Sequence, residues 1–180
     1  MGTLHNHQPV KLFTALTYKS GFDLTALIRQ LEDNFNTVEA ASEPYDFSAF
    51  TDYYQNEMGS RLKKHFVVFA SLIDPSHLPA IKVRTNSIEN NYLTKNKRCV
   101  NIDPGYITQA KLVLATTKNY SHRIYLGQGI YGDVHLHYQK GEYRPNPWTY
   151  PDYMDARNIK FFNRIREAYL KQLAAPPTLL

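Results

Sequence analysis

The sequence predicts a single α+β domain with a mainly antiparallel sheet. The chain has 180 residues, of which 43% are hydrophobic and 21% are charged, as is typical of one globular domain with an apolar core. Short β-prone runs separated by turn residues predominate, and two segments have the three- to four-residue period of amphipathic helices. We expect residues 9–173 to form the domain, residues 1–8 a flexible tail and residues 174–180 a frayed end.

The first part of the chain predicts a strand–helix–strand unit. Residues 10–18 are apolar, β-branched and aromatic, which is typical of a buried strand. Apolar residues then recur at helical spacing over 24–35, after Asp23 as a plausible N-cap. Residues 37–47 are mostly extended and are interrupted at Pro44.

Residues 50–92 predict shorter elements. Residues 50–58 are aromatic and acidic without a regular period, which indicates a loop, and we expect a short helix at 59–64. The apolar run 65–72 predicts another strand. Residues 75–92 begin with prolines that favour a turn and continue as a predicted helix.

Residues 98–145 predict a β-meander that contributes much of the sheet. The β-prone runs lie at residues 98–103, 107–117, 122–126, 130–138 and at Tyr143. They are separated by residues that favour turns, namely Asp103-Pro104-Gly105, Asn119, Gly127-Gln128-Gly129 and Lys140-Gly141. A helix over 107–115 remains an alternative, because its alanine, lysine and leucine residues suit one.

A stiff aromatic connection and a long helix close the chain. Prolines at 145, 147 and 151 surround Trp148, and we expect this ring to pack against the sheet and to be mostly buried. After Asp155, a favourable N-cap, apolar residues recur every three or four positions as far as Leu173. This spacing predicts an amphipathic C-terminal helix.

Composition excludes several classes of protein. The single Cys99 excludes an intramolecular disulfide and a multi-cysteine metal site, and it fits a reducing compartment. No run approaches the ~20 apolar residues that a membrane span needs, and the start of the chain is polar, without the apolar region of a signal peptide. We therefore expect a cytoplasmic protein that does not contact the membrane.

The charge is unevenly distributed along the chain. The formal net charge is +5, but residues 21–60 carry one base and eight acids, whereas residues 61–180 carry 18 bases and eight acids. A basic field attracts phosphates, nucleic acids or acidic partners. No run of bases exceeds two residues, which disfavours binding along a nucleic acid, and a solvated basic surface explains the same pattern.

Asp133, His135 and His137 alternate along a predicted strand, so we expect all three side chains on one face. Carboxylate and imidazole groups in this arrangement could ligate a divalent metal. Ordinary alternation of polar and apolar residues along a strand explains the pattern equally well, so we assign no metal ligands. A metal-dependent hydrolase that uses Asp133 and His135 stays an alternative.

Several polar residues favour an anion-binding site near the middle of the sheet. Thr117, Lys118, His122 and Arg123 follow an apolar run, and the preceding strand carries Arg98, Asn101 and Asp103. Ammonium and guanidinium groups suit an anion such as phosphate. The chain contains no P-loop motif and no dinucleotide-binding glycine motif. A capped turn with solvated bases explains the same residues without a ligand.

Longer strings in the chain resemble a known family. These are Val-Asn-Ile-Asp-Pro-Gly-Tyr at 100–106, Lys-Leu-Val-Leu-Ala-Thr-Thr-Lys-Asn at 111–119, His-Arg-Ile-Tyr-Leu at 122–126 with Gly-Ile-Tyr at 129–131, and Pro-Trp-Thr-Tyr-Pro-Asp-Tyr at 147–153. With 51–59, they resemble the domain-of-unknown-function 4416 family over residues 9–173. The resemblance implies a small single-domain protein of bacteria and archaea with no established activity.

One departure from the family pattern affects the choice of site. Family members resemble Glu-Val-Thr where this chain has Asp133-Val134-His135. This difference disfavours a histidine-pair metal site and favours the residues around Thr117, His122 and Arg123.

The sequence therefore favours a protein that binds a small anionic, phosphate-bearing ligand, of which a nucleotide is one example. We expect Lys118, His122 and Arg123 to neutralise the anion, Asn101 and Asp103 to orient it, and Trp148 or Tyr150 to stack on it. If the protein is an enzyme, His122 is the candidate general acid or base, because the ordinary pKa of histidine is near neutrality. The alternative is a protein or RNA interaction module. No cofactor, reaction or oligomeric state is assigned.

Overall fold

A large antiparallel sheet with helices on both faces forms the molecule. The computed structural model describes residues 2–3, 6–95 and 97–175. Within these residues the helices are α1 Thr25–Phe35, α2 Gln55–Met58, α3 Leu78–Glu89, α4 Pro151–Met154 and α5 Ala156–Ala174. The strands are β1 Val10–Lys19, β2 Val38–Ala41, β3 Tyr45–Asp46, β4 Leu62–Ile73, β5 Leu93–Thr94, β6 Lys97–Arg98, β7 Val100–Ile107, β8 Lys111–Thr116, β9 Arg123–Gly127, β10 Ile130–Gln139 and β11 Glu142–Pro145.

The sheet has the order β11-β10-β8-β7-β1-β4-β2, with β3 beside β4 and β9 beside β10. All of its strand pairs are antiparallel, which confirms the predicted α+β class and the strand–helix–strand opening of β1, α1 and β2. Strand β10 lies between β8 and β9 in the sheet, although β9 comes between them in the sequence. The connection 117–122 leaves the position beside β8 open, and β10 then occupies it. Strands β5 and β6 form a separate small hairpin.

Both faces of the central strands are buried. Phe13 and Ala15 of β1 pack in one core cluster with Phe162 of α5, whereas Leu12 and Leu16 pack in a second cluster with residues of α1 and α3. Alternate residues of a strand point to opposite faces, so a strand covered on both faces carries apolar residues at both alternating sets of positions. This explains why β1 is mostly apolar, with Lys11, Thr14 and Thr17 as its buried polar residues.

The structure also describes part of each expected tail. Residues 2–3 and 6–9 have no regular structure, while residues 1, 4 and 5 lie outside the described residues. At the other end α5 extends to Ala174, and residues 176–180 of the expected frayed end lie outside the described residues. In the described part of the chain, no helix has the length and apolar character needed to cross a membrane.

Two sequence predictions of local structure are wrong. The short helix lies earlier than expected, at α2, and β4 already begins at Leu62. The break comes at Gly59 and Arg61, whose φ angles are 85° and 62°. The turn predicted at Asp103-Pro104-Gly105 is absent, because β7 continues through these residues. The predicted strand around 107–117 is correct in type, but a turn at 108–110 separates β7 from β8.

Gly105 is needed for packing and not for a turn. A Cβ atom at this position would lie 2.5 Å from the carbonyl oxygen of Val113 and 2.8 Å from the ring of Phe13. Real Cβ contacts are never this short, so only glycine lets β7 and β8 approach each other here.

The sheet parts between β7 and β8. The two strands pair only where Gly105–Ile107 faces Leu112–Leu114, while β8 continues to pair with β10 as far as Thr116. Helix α3 covers the gap: Lys82 Nζ donates to the carbonyl oxygen of Ile102 at 3.0 Å, and Glu89 Oε1 accepts from the Ile102 N–H at 2.8 Å. These two side chains therefore satisfy backbone groups that a neighbouring strand would otherwise satisfy.

Candidate functional site

A cavity of about 610 Å³ lies where β7 and β8 part. This is within the usual volume range of small-molecule sites, roughly 300–1,000 Å³. Its walls combine aromatic rings with cations and carboxylates. The aromatic residues are Phe47, Phe50, Tyr53, Tyr54, Tyr120 and Tyr150, the cations are Lys64, Lys82, Arg98 and Lys118, and the carboxylates are Glu89, Asp103, Asp133 and Asp152.

The register of the central strands determines which residues form part of the cavity floor. Thr17 of β1 lies opposite Lys64 of β4 on one side and opposite Asn101 of β7 on the other. Two residues along β1, Ala15 lies opposite Asp103. Because side chains alternate with a period of two, these residues all point to the same face of the sheet. A row of polar side chains thus crosses three central strands at the edge of the α5-side core.

Lys64 and Asp152 form a buried ion pair in this floor. Lys64 Nζ lies 2.6 Å from Asp152 Oδ2, with the two side chains 5% and 2% exposed. The hydroxyl of Tyr45 donates to the same carboxylate oxygen at 2.9 Å. Burial, followed by the charge of Asp152, raises the pKa of Tyr45, so this hydroxyl remains a donor. The ammonium also lies 4.7 Å from the ring centroid of Phe47 and 4.8 Å from that of Tyr153, in cation–π contact.

Asp103 lies beside this pair and accepts two hydrogen bonds. Its Oδ1 accepts from Lys82 Nζ at 3.0 Å, and its Oδ2 accepts from Asn101 Nδ2 at 2.6 Å. Burial by itself raises the pKa of Asp103, but the charges of Lys82 and Lys64 and these two hydrogen bonds lower it below its ordinary value. Asp103 is therefore an ionised acceptor at the cavity wall.

Arg98 connects the floor to the outer wall. Its Nη1 donates to Glu89 Oε2 at 2.8 Å and to Asn101 Oδ1 at 2.9 Å. Its Nε and Nη2 form a bidentate pair with Glu57 of α2, at 2.5 Å and 2.8 Å. Burial raises the pKa of Glu89 although Lys82, the Ile102 N–H and Arg98 all oppose that rise. The cavity thus holds carboxyl groups whose pKa values are shifted in opposite directions.

The predicted residue Arg123 lies behind the cavity wall. Its side chain is 1% exposed, and its Nε donates to Asp133 Oδ2 at 3.0 Å. One terminal nitrogen donates to the backbone oxygen of Lys118 and the other to the hydroxyl of Tyr150, both at 3.0 Å. Arg123 therefore holds Asp133, Lys118 and Tyr150, three residues that do line the cavity.

His122 and Trp148 lie outside the cavity lining, stacked on each other at 4.9 Å between ring centroids. His122 Nε2 is 3.4 Å from Asp133 Oδ2, and the indole N–H of Trp148 donates to the backbone oxygen of Val134 at 3.0 Å. The prediction that Trp148 is mostly buried is wrong, since the residue is 37% exposed. With one face on His122 and its N–H satisfied by the backbone, the indole is held at the surface.

The expected alignment of Asp133, His135 and His137 is broken. The pairing of β10 with β8 shifts register between Val134 and Leu136, so the side-chain alternation does not continue to His137. His137 Nδ1 lies 2.8 Å from the side-chain oxygen of Asn146. Within the described residues, no group of three or more His, Cys, Asp or Glu side chains is placed to hold a metal ion.

His135 is a neutral structural partner of Asp133. Its Nε2 accepts the Tyr150 N–H at 2.9 Å, which leaves the proton on Nδ1, 3.4 Å from Asp133 Oδ1. Burial lowers the pKa of His135, although Asp133 opposes that shift. Both ring nitrogens face protein groups, so the geometry does not favour His135 as a metal ligand.

Six of the nine predicted site residues line the cavity: Arg98, Asn101, Asp103, Thr117, Lys118 and Tyr150. Sequence reasoning missed Lys64, Lys82, Glu89 and Asp152. One signal was available for Lys82 and Glu89. They lie seven residues apart on a helix, which places both on the same side as the apolar residues that pack on the sheet. Charged residues on a buried face indicate polar partners there.

The fold and cavity define an α+β protein with a charge-lined, aromatic-walled pocket. A family model described as "Domain of unknown function (DUF4416)" matches residues 8–169 of the chain. The chain therefore belongs to this family, which confirms the resemblance found in its sequence. Neither the curated proteins nor the solved structures include a significant match.

Proposed function

We propose that the cavity binds a small anionic, phosphate-bearing ligand. The observation that carries the proposal is the set of contacts made by the Lys118 ammonium group. Among the described residues, the other lining cations each pair with a carboxylate, whereas Lys118 contacts the ring and hydroxyl of Tyr53, with Nζ 4.3 Å from the ring centroid. A lining cation without a carboxylate partner beside aromatic rings suits an anionic group attached to a flat molecule.

The other walls support a nucleotide as an example of such a ligand. Tyr53, Tyr54 and Tyr150 offer rings on which a base could stack. Asp103 and Asn101 offer oxygen acceptors and an amide for sugar hydroxyls or exocyclic amines. In this proposal Arg98, Thr117 and the residues just named contact the ligand directly.

The remaining predicted residues have supporting roles in the proposal. Arg123 positions Asp133, Lys118 and Tyr150, and Trp148 packs on His122. Catalysis by His122 stays a prediction, and this ring lies next to two cavity-lining residues, the Asp133 carboxylate and the ring of Tyr120.

A thermal-shift titration tests the proposal, with inorganic phosphate and with a set of nucleoside monophosphates and the matching nucleosides. We expect the phosphate-bearing compounds to raise Tm more than the nucleosides, since a ligand at 100 times its Kd adds about 2.7 kcal/mol. The variant Lys118→Ala should lose this shift, and the control Lys160→Ala, at an exposed position of α5, should keep it. A panel without any phosphate-dependent shift, or equal binding by Lys118→Ala, would contradict the proposal.

One surface supports the interaction-module alternative. Strand β9 is a sheet edge whose Ile124, Tyr125 and Leu126 are 69%, 59% and 39% exposed, while its only base, Arg123, is buried. An uncharged apolar edge favours protein over RNA. Within the described residues β9 pairs only with β10, so its outer edge could pair antiparallel with β9 of a second copy about a two-fold axis.

A further inference from the structure

We propose that the ligand's anionic group binds in the guanidinium fork of Arg98, near Lys118, and that Glu57 competes with it for that fork. The inference rests on the proposed function and deepens it. It names the cation that takes the ligand's charge and a residue of this chain that limits its affinity.

The contact between Arg98 and Glu57 has the geometry of anion recognition. Arg98 Nε and Nη2 face the two carboxylate oxygens of Glu57 at 2.5 Å and 2.8 Å. The same fork matches two oxygens of a phosphate group, because a guanidinium binds carboxylates and phosphates in the same bidentate way. The Glu57 carboxylate therefore occupies a position whose geometry and positive charge also suit a phosphate group.

Arg98 does not depend on Glu57 for its position. Its third nitrogen, Nη1, is held by Glu89 Oε2 at 2.8 Å and by Asn101 Oδ1 at 2.9 Å. The Glu89 side chain is 4% exposed, whereas that of Glu57 is 45% exposed. The inner contacts can therefore hold the guanidinium of Arg98, which lines the cavity, in place when the outer carboxylate leaves its fork.

The exchange of Glu57 for a ligand should require little free energy. Arg98 is 28% exposed and Glu57 45% exposed, and ion pairs in contact with water are weak because solvent screens them. A phosphate dianion brings more charge to the same fork and can displace the single carboxylate.

The charge of Lys118 acts on the same carboxylate that Arg98 holds. Hydrogen bonding to Arg98 and the charges of Arg98 and Lys118 hold the pKa of Glu57 below its ordinary value, although burial opposes them. Lys118 also holds Tyr53, four residues before Glu57. The wall segment 51–58 is thus attached to two cations, Glu57 to Arg98 and Tyr53 to Lys118.

Ligand binding should therefore loosen this wall segment. An anion placed between Arg98 and Lys118 takes the contacts that hold Glu57 and Tyr53. The segment is followed by Gly59 and Arg61, whose positive φ angles separate it from β4. The backbone hydrogen bonds that the structure describes for residues 51–57 reach no further than Gly59, whereas Met58 is 1% exposed and packs in the core cluster that contains Phe66 of β4. Residues 51–57 can therefore move while Met58 stays in the core.

The variant Glu57→Gln tests the competition, because it keeps the size of the side chain and removes its charge. Affinities for inorganic phosphate and for a nucleoside monophosphate are measured by calorimetry, with hydrogen exchange of segment 51–58 as a second readout. We expect Glu57→Gln to bind both about two- to fivefold more tightly than the unchanged protein, the range of exposed ion pairs. The matched control Glu167→Gln removes an exposed charge from α5 and should bind like the unchanged protein.

Hydrogen exchange gives an independent expectation. Phosphate should speed exchange in segment 51–58 of the unchanged protein, and Glu57→Gln should show faster exchange before phosphate is added. If the unchanged protein binds phosphate compounds but Glu57→Gln binds them equally or more weakly, the competition is wrong and the proposed function stands. If no protein binds any of these compounds, the proposed function fails and this inference fails with it.

Discussion

His65 shows how burial of a single side chain makes stability depend on pH. The residue is 6% exposed, packs edge-on against Tyr18 at 5.6 Å, and burial lowers its pKa from 6.5 to about 4. Between these two values the unfolded chain binds a proton that the folded chain does not. Acidification from pH 6.5 to pH 4 therefore favours unfolding.

We expect His65→Leu to flatten the stability profile over that range. Urea unfolding at about pH 7 and about pH 5 should show a smaller loss of unfolding free energy for His65→Leu than for the unchanged protein, by about 1–2 kcal/mol. The exposed His77 gives the matched control, His77→Leu, which should keep the original slope. Equal slopes for all three proteins would show that His65 titrates normally in the fold.

Gly105 is the second residue-scale case, because its lack of a side chain allows β7 to approach β8. We expect Gly105→Ala to lower the free energy of unfolding by about 1–3 kcal/mol or more, the usual effect of overpacking. At Gly132, another strand glycine, a Cβ would come no closer than 3.1 Å and only to the flexible side chain of Leu126. Gly132→Ala should therefore be milder in chemical denaturation, and the reverse order would refute the packing argument.

At the scale of elements, α3 supplies hydrogen-bond partners to β7 where no neighbouring strand of the described chain does so. Lys82 donates to both the Ile102 carbonyl and the Asp103 carboxylate, and its side chain is 7% exposed. Lys82→Met removes these hydrogen bonds and leaves the acids of the cavity floor without one counter-charge. We expect the free energy of unfolding to fall by about 2–4 kcal/mol. This is toward the lower end of the usual cost of breaking a buried ion pair, because Asp103 is partly exposed.

Thermal and urea unfolding of Lys82→Met can be compared with Lys160→Met, which makes the same change at an exposed position of α5. The control should change stability by less than about 0.5 kcal/mol. Similar stability of the two variants would mean that α3 covers the gap through its apolar contacts alone.

At the scale of the whole molecule, the exposed edge of β9 predicts weak self-association. Pairing of two β9 strands would bring Ile124, Tyr125 and Leu126 of both copies together and give hydrogen-bond partners to the backbone groups on the side of β9 away from β10. Light scattering coupled to gel filtration should show a mass that rises with concentration. Ile124→Lys should keep the protein monomeric, because a like charge is then placed at the same edge of both copies. A constant monomer mass for the unchanged protein would remove this alternative.

Much of the fold was predictable because its signals are local. The mostly apolar, β-branched and aromatic run of β1, the helical periods of α1 and α5 and the N-cap Asp155 depend on neighbours within a few positions. The turn assigned to Asp103-Pro104-Gly105 failed for the opposite reason. A glycine is required at 105 by close contacts with Phe13, which is distant in the chain, and with Val113, which lies on the neighbouring strand β8.

The candidate site divides in the same way. The motif residues from Arg98 to Lys118 and Tyr150 could be proposed from residue type and sequence neighbourhood. Their partners could not, because Lys64 reaches Asp152 across 88 positions and Lys82 reaches Asp103 across 21 positions. Arg123 has the residue type of an anion ligand, yet its hydrogen bonds go to three protein groups.

The sequence by itself determined the α+β class, the family and the elements that bear the site, since hydrophobic period and turn residues act over short distances. Only the tertiary structure decided that β7 and β8 part, that α3 covers the gap, and which charges face the resulting cavity. These features depend on strand register and on contacts between distant segments. A change of one residue in register would turn Lys64 and Asn101 to the opposite face of the sheet.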